Sequence, residues 1–283
     1  SSNTPYQGTL LNGTNCTVRY YAQSQPSQRA GTDPLYLTQW YLKNTGRLTG
    51  YSGLAAGEDL QVENVWASGL RGENIRVAVV DDALEVTHQD LAPNVVEGAS
   101  YNYVSDGSWQ RGSPWPLPCT SSQTHGTAVG GVVAARDSNG LGGGGVAPRA
   151  SLVGYNALAN ALDSELLDAL VRDQGKNHIY NNSWGAEDDG HFNTPASRSA
   201  QVGTILNGLR NGRNGLGSIY TFAGGNGGAN GDYSVLDGNV SMLGAIPVCG
   251  TNAAGKRAPY SEPGPNLIVC APSSDVGQAK GSS

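Results

Sequence analysis

The run Ile75-Arg76-Val77-Ala78-Val79-Val80-Asp81-Asp82 constrains the fold more than any other stretch. Residues of mostly β-branched, apolar character end abruptly in two carboxylates. A short, continuous apolar run predicts a strand buried on both faces. In an open α/β sheet, ligands and chemistry sit beyond the carboxyl ends of the strands. Asp81 therefore stands where a catalytic acid belongs. On this stretch alone, a strand followed by an acidic turn fits equally well.

The rest of the chain repeats the theme. Strands are predicted at Ser151 to Gly154, Asn177 to Asn182, Ser218 to Ala223, Ala245 to Cys249 and Leu267 to Cys270. Helices are predicted at Glu58 to Ser68, Leu162 to Asp173 and Ser197 to Arg210. The small-residue stretch His125 to Ala135 predicts a buried helix with His125 at its start. Strands alternating with helices imply βαβ units and a mostly parallel sheet, an α/β fold. Residues 1–32 are polar and turn-rich, with a strand-like patch at Val18 to Tyr21, and read as an N-terminal arm. Residues 33–283 read as one α/β domain. Val104 to Thr124, with Trp109 and Trp115, is a long loop of the kind that is usually functional.

Composition narrows the function classes. Hydrophobic residues make up 38%, enough for a sizeable core, while charged residues are only 14% against the usual quarter. The net charge is −6 and the 17 basic residues are scattered, so no basic stripe argues for nucleic acid. No run of about 18 apolar residues exists to span a membrane. Leu141-Gly142-Gly143-Gly144-Gly145 lacks the GK[ST] of a phosphate loop, which argues against nucleotide binding. The chain begins Ser1-Ser2, as a mature secreted chain would, and so would an engineered start. Cys16, Cys119, Cys249 and Cys270 allow three pairings. None has zinc-site spacing. Structural disulfides outside the cytoplasm are expected, with Cys249–Cys270 the favoured pair because both end consecutive strands.

Asp81, His125 and Asn226 each fall at a strand end or a helix start. An imidazole takes a proton from a nucleophile near neutral pH. A buried carboxylate fixes its tautomer, and an amide donates to a developing oxyanion. Each residue also has a bland alternative: a helix-start histidine, a turn asparagine between glycines, an acidic turn.

Val79-Val80-Asp81-Asp82, His125-Gly126-Thr127 and Gly225-Asn226-Gly227-Gly228 resemble the motifs of the subtilisin-family serine proteases. Ser183-Trp184-Gly185-Ala186-Glu187-Asp188-Asp189-Gly190 is similar to the kexin/furin branch. The resemblance runs from about Asp33 to the chain end. It implies a subtilisin-like central sheet with helices on both faces. It also implies that Asp81 orients His125, that His125 is the general base, and that Asn226 serves the oxyanion hole. Ser183, Trp184, Gly185 and Glu187 would bind substrate. Asp188 and Asp237 would face a basic P1 residue, and Asp82 a basic P2 residue.

The same resemblance implies two Ca²⁺ sites. One is formed by Asp188, Asp232 and Glu262, whose clustered carboxylates would repel by about 4 kcal/mol per pair at 4 Å without a cation. The other uses Asp33, Asp90 and Asn139, completed by backbone oxygens of Arg136, Leu141 and Gly143. The bland alternative for Asp33, Asp90 and Asp82 is a solvated surface acid.

Some family features are absent. Ser122 replaces the acid three residues before the histidine, and Thr194 the acid six residues after Asp188. Firm P1 Arg/Lys preference with weaker P2 and P4 selection is therefore expected. No Gly-Thr-Ser nucleophile motif occurs; Gly250-Thr251 is followed by Asn252. Ser122, Ser183 and Ser261 are poor substitutes, since none follows the expected turn into a helix. The expectation is an N-terminal portion of a longer, secreted, calcium-dependent endopeptidase, exported through the periplasm if bacterial. Its partners would be polypeptides with basic P1, and either a removed prodomain or a separate folding chaperone. The alternative is a non-catalytic binding protein on the same fold.

Overall fold

The structure is a computed structural model. It describes residues 33–47, 53–105, 110–191 and 198–273, together with the backbone of two strands at 6–8 and 18–20. The remainder of the arm, Tyr21, Cys16, Trp109, Thr194 and Ser197 lie outside the described residues. In chain order the elements are β1 (Tyr6–Gly8), β2 (Val18–Tyr20), α1 (Val62–Ala67), β3 (Arg76–Val80), α2 (His125–Ala134) and β4 (Ser151–Tyr155). They continue as α3 (Asp163–Ala169), β5 (Ile179–Asn182), α4 (Arg198–Gly215), β6 (Ile219–Ala223), β7 (Ala245–Thr251) and β8 (Val269–Pro272).

The chain forms two compact units. The first holds Ser1–Tyr36, Arg71–Asn181 and Asn211–Ser218. Here β3 lies between β4 and β5. It runs parallel to β4 in a register from Arg76↔Ser151 to Val80↔Tyr155. Val77, Ala78, Val79 and Val80 are all buried, as their uninterrupted apolar run predicts. Burying each such valine contributes about 1.5–3 kcal/mol. Leu84, Leu91, Leu117, Ala134 and Leu152 complete the core around Val77 and Val79. The ladder extends one residue past β3, because the Asp81 N–H donates to Tyr155 O (3.0 Å). That fixes Asp81 at the strand's carboxyl end.

The second unit holds Leu37–Leu70, Asn182–Arg210 and Ile219–Ser283. β6, β7 and β8 run parallel there, with Tyr220↔Ala245 and Val248↔Val269 in register. Cys249 and Cys270 are direct partners across β7 and β8 and form the expected disulfide. Cys119 is disulfide-bonded as well.

Three elements differ from the sequence reading. α1 begins at Val62, not Glu58. Asp59 Oδ1 accepts the Gln61 N–H (2.8 Å) and Gln61 takes a left-handed φ of 54°, so residues 58–61 form a turn instead of a helical one. α2 is not buried all round. Only Gly126, Gly130 and Ala134, four residues apart, are buried, and Val132 is 47% exposed. A run of small residues cannot reveal how many faces find a neighbour. α3 stops at Ala169, because the chain turns through Leu170 to Asp173, where φ reaches 54°.

Candidate active site

In the first unit, β3 delivers Asp81 and the start of α2 delivers His125. His125 Nδ1 lies 2.8 Å from Asp81 Oδ1 and 3.1 Å from Oδ2. Asp81 is 1% exposed, and its Oδ1 also accepts the Asp82 N–H (2.8 Å). Burial pushes the Asp81 carboxyl up, against the pull of the His125 hydrogen bond. The same bond holds the His125 imidazole above its ordinary value, with the charges of Asp81 and Asp82 adding to it. With Nδ1–H donated to Asp81, the lone pair sits on Nε2, free to accept a proton.

The approach of helix to strand depends on Gly126. A Cβ there would meet Ala83 O at 2.1 Å and Asp81 Cβ at 2.7 Å. Thr127 Oγ1 accepts the Glu85 N–H (2.9 Å), pinning the loop that follows Asp81. Neither role was drawn from the sequence, although both residues directly follow His125.

Asp33, Asp90 and Asn139 also meet in this unit. Asp33 accepts the N–H groups of Ser138, Asn139 and Gly140. Asp90 Oδ1 accepts Asn139 Nδ2 (2.7 Å) and Oδ2 the Gly143 N–H (3.3 Å). Arg136 N donates to Asp90 O, and Leu141 N to Asn139 Oδ1. Both acids are buried, and burial, with Asp33 adding, raises the Asp90 carboxyl. The carboxylates suit Ca²⁺ chemically. The Asn139 amide thus bridges Asp90 and the Leu141 N–H, and its oxygen keeps a second lone pair.

In the second unit, Ser183 directly follows the end of β5, and Trp184 packs edge-on to Phe222 with centroids 5.5 Å apart. Beyond them lies an acidic pocket lined by Ala186, Glu187, Asp188, His191, Gly225, Asp232, Asp237 and Glu262. Oxygen atoms of Asp188, Asp232 and Glu262 all lie within 4.8 Å of one another. Main-chain N–H groups hold them: Asn226 donates to Asp188 (3.0 Å), Gly190 to Asp232 (3.1 Å) and Gly227 to Glu262 (3.1 Å). Burial first, and then Asp188 and Asp232, push Glu262 up to about 7. Gly225, with φ of 97°, leaves space that a Cβ would deny, since it would lie 2.2 Å from the Glu262 carboxyl. Three convergent carboxylates, one of them held well above its ordinary value, fit a hard cation with oxygen ligands.

Asp237 is a fourth acid of the pocket. Its Oδ2 accepts the Ala186 N–H (3.0 Å) and its Oδ1 the Asn239 N–H (2.6 Å). Burial, with Asp188 adding, raises it too. Gly185 must lack a side chain, because a Cβ would lie 2.7 Å from Asp237 Oδ2. His191, absent from the sequence reading, stands beside Asp189 (3.4 Å). Its place in the pocket follows from the Asp188-Asp189-Gly190 turn that carries it. Asn226 follows β6 across Gly224 and Gly225 and opens a short 3-10 turn, Gly227–Asn230.

A family model described as the subtilase family matches residues 72–283. The chain belongs to the subtilase family. As a subtilase it has the subtilisin-like α/β fold with a parallel sheet. It is 38% identical over 237 residues to neuroendocrine convertase 2 of Caenorhabditis elegans, covering 82% of this chain and 34% of the relative. It is 38% identical over 237 residues to the dibasic-processing endoprotease of Schizosaccharomyces pombe, covering 82% and 30%. This subtilase therefore spans about a third of the length of these curated relatives. It also resembles the crystal structure of the Aeromonas sobria serine protease in complex with the chaperone. That match has a TM-score of 0.76 and 31% identity, covering 87% of this chain and 43% of the other. Among the described residues, no helix is long and apolar enough to cross a membrane.

Proposed function

We propose that this chain is part of a calcium-dependent serine endopeptidase, secreted from the cell, that cuts polypeptides after Arg or Lys, dibasic sites included. The observation that carries the reading is the buried Asp81 carboxylate on His125 Nδ1 at 2.8 Å. That pairing leaves Nε2 to take the proton of a serine hydroxyl as it attacks the scissile carbonyl. Asp81 stays ionised and stabilises the imidazolium that forms. Asn226 donates to the oxyanion, and His125 returns its proton to the leaving amine. The serine itself is not in a Gly-Thr-Ser motif within these 283 residues, and the reading assigns it to a segment outside them.

The acidic pocket supports the basic P1 preference. Asp188 and Asp237 present negative charge to an Arg or Lys side chain. Asp188, Asp232 and Glu262 would hold Ca²⁺, which supplies countercharge to a cluster that otherwise repels itself. Asp33, Asp90 and Asn139, with backbone oxygens of Arg136, Leu141 and Gly143, would hold a second ion. Ser183, Trp184, Gly185 and Glu187 would form the substrate-binding wall, and Asp82 would meet P2. The names of the relatives, a convertase and a dibasic-processing endoprotease, agree with this substrate class. The Aeromonas complex supports a folding partner of one kind or the other, a separate chaperone or a removed prodomain.

The test treats the natural protein with a fluorophosphonate and assays it on a peptide panel varied at P1. A covalent adduct with cleavage after Arg and Lys is expected. Equal cleavage after Leu and Arg would remove the proposed specificity. The absence of an adduct, with folding and calcium binding intact, would leave a binding protein.

A further inference from the structure

We infer that Asp82 is a positioning residue for His125, its carboxylate clamping the first two main-chain amides of α2. The inference rests on the reading that His125 is the general base. The His125 N–H donates to Asp82 Oδ2 (3.2 Å) and the Gly126 N–H to Asp82 Oδ1 (2.8 Å). The first helical hydrogen bond of α2 is that of Ala128 to Thr124 O (3.1 Å). The amides of residues 125 and 126 therefore have no partner within the helix. Thr124, at the usual capping position, makes no side-chain cap bond. The cap comes instead from a residue 43 positions earlier in the chain.

A carboxylate at a helix N-terminus is favoured by the amide dipoles aimed at it. Here it also has a geometric consequence. The Asp82 main-chain N–H donates to Asp81 Oδ1 (2.8 Å), so one residue grips both members of the pair. Its backbone orients the carboxylate of Asp81, and its side chain fixes the backbone that carries the imidazole. Gly126 makes the clamp possible by letting the helix start come against Ala83 and Asp81. A residue that only awaited a basic P2 side chain would not need both of its oxygens committed to α2.

The natural enzyme is compared with Asp82→Ala and Asp82→Asn on two peptides with Arg at P1 and either Lys or Ala at P2. Positioning predicts that Asp82→Ala lowers kcat even on the P2 Ala peptide, by about ten- to a hundredfold, with KM for that peptide little changed. Asp82→Asn keeps one acceptor and should recover part of the loss on both. In ¹⁵N-histidine NMR of the same enzymes, the His125 Nδ1 proton signal should persist in Asp82→Asn and vanish into exchange in Asp82→Ala. A loss confined to the P2 Lys peptide and seen in KM, with the Nδ1 signal intact in Asp82→Ala, would overturn the proposal and make Asp82 a P2 contact alone. Should Asp82→Ala fail to fold, Asp82→Asn carries the same comparison: a partial loss of kcat on the P2 Ala peptide supports the clamp, a loss confined to the P2 Lys peptide overturns it. If the unmodified enzyme cleaves neither peptide, the proposed activity falls, and the Nδ1 signal still decides whether Asp82 positions His125.

Discussion

The Asp81–His125 pair and the acidic pocket handle carboxylates in opposite ways. In the first, Asp81 is buried with its partner supplied by the chain, the imidazole of His125 at 2.8 Å. In the second, Asp188, Asp232, Asp237 and Glu262 converge on one pocket, and main-chain N–H groups donate to each of them. Hydrogen bonds of that kind orient a carboxylate without cancelling its charge. A paired acid can hold another group ready for reaction. A cluster of like charge is instead poised to receive a cation or a basic side chain. Displaced protons report the difference: His125 is raised by its partner, and Glu262 by burial and its neighbours.

The hardest blow to the paired region is Asp81→Asn. It should lower kcat on the order of 10⁴-fold, by favouring the wrong imidazole tautomer; steady-state rates of the natural enzyme measure it, and a loss below tenfold would refute the pairing as the catalytic one. Gly126→Ala comes next. A methyl 2.1 Å from Ala83 O cannot be accommodated in place, and overpacking of this kind costs about 1–3 kcal/mol. Thermal unfolding should show the loss, accompanied by lower kcat as α2 is pushed from β3.

The cluster should respond to pH and cation together. Glu262 moves from an ordinary 4.5 to about 7 in the folded chain. Between those values the folded state binds more protons than the unfolded one, so stability falls as pH rises. Without calcium, the melting temperature should drop across that window. Calcium should abolish the drop, and Glu262→Gln should remove both the pH dependence and most of the calcium effect. A melting profile unmoved by chelator would count against the site.

The smallest expected effect is in the pH profile of the pair. His125 is raised above an ordinary 6.5, and hydrolysis needs it neutral. The acid limb of kcat/KM should therefore lie above 6.5, and Asp82→Asn should shift it downward by removing one of the charges that raise it. The stabilisation from the Asp81–His125 ion pair is complete below 6.5 and is lost as pH rises through the folded value.

Much of this architecture was legible in the sequence. The run from Ile75 to Val80 could only be a buried strand, because nothing polar interrupts its apolar side after Arg76. The strand ends at Cys249 and Cys270 indicated their disulfide. The motif Ser183 to Gly190 marked the acidic turn. Side-chain chemistry and periodicity are local properties, so short windows carry them.

Tertiary structure decided the rest, for one physical reason. Main-chain amides at helix starts and turns must find acceptors, and which acceptor arrives depends on what comes close in space. Asp82 reads as an acid facing a basic P2 residue; only the fold shows α2 beginning against it. That Asn139 bridges Asp90 and the Leu141 amide is likewise shown only by the fold. The six-residue α1 starts late because Asp59 takes the Gln61 amide first. Sequence determined which groups this subtilase owns; the fold determined which of them are already engaged.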